Sequence, residues 1–167
     1  MLRQFAPYAL AGVGIGLAAM LLVLRQLNYD STPPLTPELY AAARERWRSA
    51  APQNYDIEIR VTGSQPALYR VEVRGGEAQA AWRNGQPLTS RRTFGTWSVP
   101  GMFSTISRDA EALERHAAGT ADRATPRLTL RAEFDPAHHY PAKYRRIEQW
   151  SHIEVAWQVT KFHPLAP

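Results

Sequence analysis

The sequence predicts an α+β protein. A single N-terminal transmembrane helix precedes a two-layer domain, in which an antiparallel sheet of about six strands carries two helices on one face. Three observations predict this. An uncharged run of 20 residues spans 5–24. Two later segments repeat apolar residues at helical spacing behind a hydroxyl cap and a proline. Six others alternate apolar and polar residues, as half-buried strands do.

The elements follow in order. Twenty residues rising about 1.5 Å each match a hydrocarbon core of about 30 Å. Arg3 and Arg25 bracket this run, and Tyr8 sits near one interface. The run exceeds a signal-peptide core, and no Ala-x-Ala exit follows Arg25, so residues 1–27 read as an uncleaved anchor. Gly12 and Gly16 form a G-x-x-x-G seam, and Gly14 and Ala18 add a second small pair, which would let another helix approach closely in lipid. Residues 28–35 are a linker stiffened by Pro33-Pro34, and residues 36–167 form the domain. Thr36-Pro37-Glu38 opens a helix that ends at Ala51-Pro52, with Tyr40 and Trp47 on its apolar stripe. Strands follow at residues 55–61, 68–74 and 77–83, the last two joined by a Gly75-Gly76 turn. Residues 88–95 read as a loop holding Arg91 and Arg92. Ser98 caps a second helix over residues 99–117, whose Met102, Phe103 and Ile106 are expected in the core. Three more strands occupy residues 128–134, 142–150 and 153–162. Helix plus three-strand meander thus occurs twice, a pseudo-repeat of elements.

Composition removes several function classes. The chain has no cysteine, so disulfides, thiolate metal sites, a cysteine nucleophile and a lipidated cysteine are all excluded. Its net charge of +5 comes from arginines interleaved with acidic residues, which does not predict a nucleic-acid partner. No G-x-S-x-G elbow or Gly-rich phosphate loop occurs in the soluble part. Glu111 and Glu114 share a helix with Arg108 and Arg115 and read as a solvated charged face. Asp135, His138 and His139 have the donor types of a zinc site, but adjacent histidines on a turn point apart, so no metal is expected. No cofactor or catalytic residue is expected either, and the chain is read as a non-enzyme. Trp97, Trp150 and Trp157, with Arg91 and Arg92, are the candidate partner-docking residues, because tryptophan and arginine are enriched at interface hot spots. Arg25 and residues 44–48 are expected near lipid headgroups.

Three landmarks carry a resemblance: Trp47 with Pro52-x-Asn54-Tyr55, then Val99-Pro-Gly-Met-Phe103, then Asp135 with His139-Tyr-Pro141. Together they resemble a family of small, uncharacterised, extracytoplasmic bacterial proteins held by a signal, lipid or membrane anchor. The resemblance covers about residues 39–162 and implies the helix–meander–helix–meander layout, which is also similar to that of β-lactamase-inhibitor-like scaffolds. This chain departs from it in having no lipidated cysteine, and in carrying His139 where glycine is common. The resemblance implies no catalytic residues.

The expected function is a non-catalytic accessory or structural subunit of a larger bacterial membrane complex, such as a reaction-centre–antenna or respiratory assembly. Its partners would be other membrane-protein subunits and the lipid bilayer. The N-terminus is expected in the cytoplasm and the domain in the periplasm, since large C-terminal domains translocate largely regardless of charge. The alternative is a free-standing periplasmic binding or inhibitor-like module.

Overall fold

The computed structural model describes Met20 and residues 32–151 and 153–166, without the side chains of Arg91 and Arg92. The expected anchor, with its seam of Gly12, Gly14, Gly16 and Ala18, lies outside the described residues apart from Met20, which is helical. Among the described residues no helix is long and apolar enough to cross a membrane.

From Thr32 onward the chain is one compact α+β unit. Helix α1 (Pro37–Ala50) leads into β1 (Tyr55–Gly63), β2 (Ala67–Arg74), β3 (Glu77–Arg83) and a two-residue β4 (Gln86–Pro87). A short α2 (Arg91–Phe94) and a 3-10 turn (Gly95–Trp97) precede α3 (Val99–Ala117). The chain closes with β5 (Leu128–Phe134), β6 (Pro141–Glu148) and β7 (Glu154–Pro164). All seven strands form one antiparallel sheet in the order β4-β3-β2-β1-β7-β6-β5.

Local chemistry accounts for most boundaries. The Thr36 hydroxyl accepts the Leu39 N–H, with Pro37 behind it, and the Ser98 hydroxyl accepts the Gly101 N–H, with Pro100 in the first turn. Gly75 and Gly76 both have positive φ (59° and 80°), the conformation of a two-residue type I′ turn between β2 and β3. A second turn at Asn84-Gly85 folds β4 back on β3. This makes seven strands where about six were expected, because so short a strand has no alternation to reveal it. The expected loop at residues 88–95 holds α2 instead. Residues 32–35, read as the end of the linker, lie along the outer edge of β5. Leu35 N–H donates to Leu130 O, Ala132 N–H to Pro33 O, and Arg131 Nη1 to Thr32 O.

Alternation sorts the sheet into two faces. Tyr55, Ile57, Ile59 and Val61 of β1 lie beside Val73, Val71, Tyr69 and Ala67 of β2, and beside the Trp157, Val159 and Phe162 side of β7. These residues share one core with Ala43 and Trp47 of α1 and Val99, Met102, Phe103 and Ile106 of α3, so the helices cover this face alone. The element order repeats as expected, but the space does not repeat with it. β1, the first strand of its meander, pairs with β7, the last strand of the other. The first meander therefore runs outward from the middle of the sheet, and the second runs inward toward it.

Candidate functional site

The three landmarks meet in the packed layer. Trp47 stands edge-on to Tyr55 (5.8 Å between centroids, 89°), and Tyr55 lies 5.2 Å from Phe162, which lies 4.5 Å from Tyr140. The Tyr55 hydroxyl accepts the N–H of Val99 at 3.1 Å, satisfying one of the donors that a helix N-terminus leaves unpaired. Burial pushes the Tyr55 phenol up to about 12, against a smaller opposing effect of that hydrogen bond. Asn54 Oδ1 accepts the Gly75 N–H and so holds the β2–β3 turn. Gly101 leaves space for the preceding 3-10 turn, because a Cβ there would overlap the Gly95 and Thr96 carbonyls. Asp135 Oδ1 accepts the N–H groups of Ala137 and His138 and lies 3.3 Å from His138 Nδ1. Burial pushes the Asp135 carboxyl up, but these donors outweigh it and hold it below the usual carboxylate range. His139, beside it, has φ 63°, and its N–H closes the turn by donating to Asp135 O at 2.8 Å. Among the described residues no group of three or more His, Asp or Glu is placed to hold a metal.

A second polar cluster ties α3 to the sheet. The Tyr144 hydroxyl donates to Asp109 Oδ2 at 2.7 Å, and Arg146 Nε donates to Asp109 Oδ1 at 3.2 Å while facing Glu148. Burial, and then the Asp109 charge, push the Tyr144 phenol far above its ordinary value. Every member has a partner, as the two sides of a helix–sheet contact require.

The candidate docking residues do not converge. Trp157 is only 5% exposed and belongs to the core, because alternation along β7 turns it toward the helices; it has no surface to offer a partner. Trp97 is half-buried, stacked on Tyr69 at 4.5 Å and edge-on to Trp157 at 5.7 Å. Arg91 and Arg92 open α2, and their side chains lie outside the described residues. Trp150 stands at the tip of the β6–β7 hairpin, 85% exposed and with φ 76°. The strand expected to reach Trp150 ends at Glu148, whose N–H donates to Ile153 O and so begins the turn into β7, while the Gln149 N–H still bonds Arg127 O beyond the end of β5.

Two surfaces emerge that the sequence did not reveal. The first is the sheet face that no helix among the described residues covers, where Arg74 meets Asp56 (2.8 Å), Arg70 meets Glu72 (2.8 Å), Lys143 meets Glu133 (2.8 Å) and Arg145 grips Glu154 through two nitrogens (2.9 and 3.0 Å). Arg70 also lies over the Trp82 ring at 5.1 Å. The Thr160 hydroxyl, followed by Lys161, lowers the Glu58 carboxyl below its ordinary value. Period-2 charges such as Arg70-Val-Glu-Val-Arg74 signalled this face, but the cross-strand partners depend on register. The second is a crevice of about 470 Å³ between the α3–β5 loop and the β6–β7 hairpin, lined among others by His116, Asp122, Arg123, Arg127 and Trp150. Only the folded chain brings these two loops together.

No curated protein matches the chain. Residues 39–164, which contain all three landmarks, match the family described as Family of unknown function (DUF6174), and the chain belongs to that family.

Proposed function

We propose that this protein is a non-catalytic accessory subunit, anchored by residues 5–24 in a bacterial inner membrane, whose periplasmic domain binds other subunits of a larger complex. The observation that carries the reading is the open face of the seven-stranded sheet. Helices cover one side, while among the described residues the other presents ion pairs that link neighbouring strands. Such a platform keeps its shape before a partner arrives, so little conformational entropy is lost on docking. The anchor rests on sequence: length, absence of charge, and the Gly12/Gly16 seam that suits helix–helix contact in lipid. The polar clusters around Asp109 and Asp135 support this reading, since their groups are engaged in holding helix to sheet and turn to strand.

The test is isolation from native membranes in mild detergent. The subunit reading expects co-purification at fixed stoichiometry, and it expects Gly16→Leu to lower retention by wedging the anchor from its neighbour while the domain stays folded. A wild-type chain that always emerges alone refutes it. The same open face would then serve a free-standing binding module.

A further inference from the structure

We propose that the tip of the β6–β7 hairpin, carrying Trp150 and Ile153, lies in the headgroup region of an anionic bilayer, with Arg123 and Arg127 as its charge contacts. The proposal rests on the reading that the chain works at a membrane. Trp150 and Ile153, three residues apart in the sequence after β6, are 85% and 43% exposed, so an indole and a branched alkyl group both reach solvent there. A tryptophan at φ 76° sits in a backbone region that disfavours bulky side chains, and here no packing offsets that strain.

The crevice at the tip decides the kind of partner. Its carboxylates are already engaged: Asp122 Oδ1 accepts from the Thr125 N–H and hydroxyl, and Glu148 faces Arg146. Arg123 and Arg127 line the same crevice and make no ion pair among the described residues, leaving two cations beside the tip. A protein hot spot would need a matching socket for the indole, whereas the bilayer interface takes an amphipathic ring without one and attracts neighbouring arginines through anionic lipid. Trp150 is exposed at the rim of a crevice lined mostly by polar residues. That combination suits a soft anionic surface.

The absence of cysteine makes the test clean. Ser151→Cys in the full chain gives a single thiol at the tip for an environment-sensitive fluorophore. Ala137→Cys labels the exposed β5–β6 turn at the opposite end of β6 as a control. Each labelled chain is reconstituted in vesicles of phosphatidylcholine with phosphatidylglycerol containing a bilayer-resident quencher, and flotation is measured alongside. The expected result is quenching at position 151 and none at 137, with less in pure phosphatidylcholine. Replacing Arg123 and Arg127 by Gln should weaken tip contact about fivefold per charge, and Trp150→Ser should weaken it about tenfold or more, with circular dichroism unchanged. A chain that floats while position 151 stays unquenched overturns the hairpin contact and leaves the anchor standing. A chain that does not float overturns both. A label shielded only in the isolated complex, and not by lipid, shows that the tip docks on protein and also overturns the proposal.

Discussion

Deleting one oxygen, in Tyr55→Phe, probes how the sheet holds the second helix. Val99 is fully buried, and its N–H donates to the Tyr55 hydroxyl at 3.1 Å because the first turn of a helix has no internal acceptor for it. Phenylalanine keeps the ring contacts with Trp47 and Phe162 but strands that N–H away from water. Leaving a buried donor unsatisfied costs about 1–3 kcal/mol, so near neutral pH the variant should lose about 2 kcal/mol. The phenol adds a pH signature. Its folded value of about 12 exceeds the ordinary value near 10, so folding opposes ionisation. That contribution is fully present below about pH 10 and is lost as pH climbs toward 12, a difference equivalent to about 2–3 kcal/mol. Tyr55→Phe lacks the ionisable group, so the stability gap between wild type and variant should narrow over that window. Urea unfolding of the full chain in mild detergent, followed by circular dichroism at several pH values, measures both effects. A neutral-pH loss below about 0.5 kcal/mol would refute the capping role, and a gap that stays constant to pH 12 would refute the buried phenol.

Two further outcomes follow from the same layer. Trp47 is 5% exposed between Tyr55 and Phe162, so Trp47→Ala should cost about 3–5 kcal/mol in the same unfolding assay, and a loss below about 1 kcal/mol would contradict its burial. Asp135 is held ionised by the N–H groups of Ala137 and His138, so its contribution is present above its unfolded value near 4 and fades as pH falls below it. Asp135→Asn should therefore destabilise by about 1 kcal/mol near neutrality and by less in acid, and a pH-independent effect would argue against the charge.

Local signals were legible and long-range ones were not. The caps Thr36 and Ser98, the Gly75-Gly76 turn and the alternation of residues 55–61 each act within a few residues, and all appear where the sequence places them. The pairing of β1 with β7 spans about a hundred residues and rests on which strand edges remain open after each meander has formed. Nothing local encodes it. Trp150 and Trp157 look alike as residues in an apolar–polar segment, yet one is exposed and the other buried. What separates them is the turn into β7, begun by the bond from Glu148 N–H to Ile153 O, which leaves Trp150 outside the sheet and Trp157 within it. Alternation of Val155, Trp157 and Val159 already put Trp157 on the apolar side, so its burial was the more readable of the two.

The three landmarks, all within the residues matched to the family, are engaged in folding. Trp47, Tyr55 and Tyr140 pack through Phe162, the Tyr55 hydroxyl caps α3, Gly101 admits the 3-10 turn, Asn54 holds one hairpin and Asp135 another. Removing any of them should disturb packing first, so they speak for a scaffold and leave its use open. On the open face, ion pairs link neighbouring strands, and that face is where docking on other subunits is proposed. Trp150 is different: its backbone is strained, its ring is exposed and it makes no ring contact among the described residues. An indole there is exposed at a backbone cost, the combination on which the proposed headgroup contact rests.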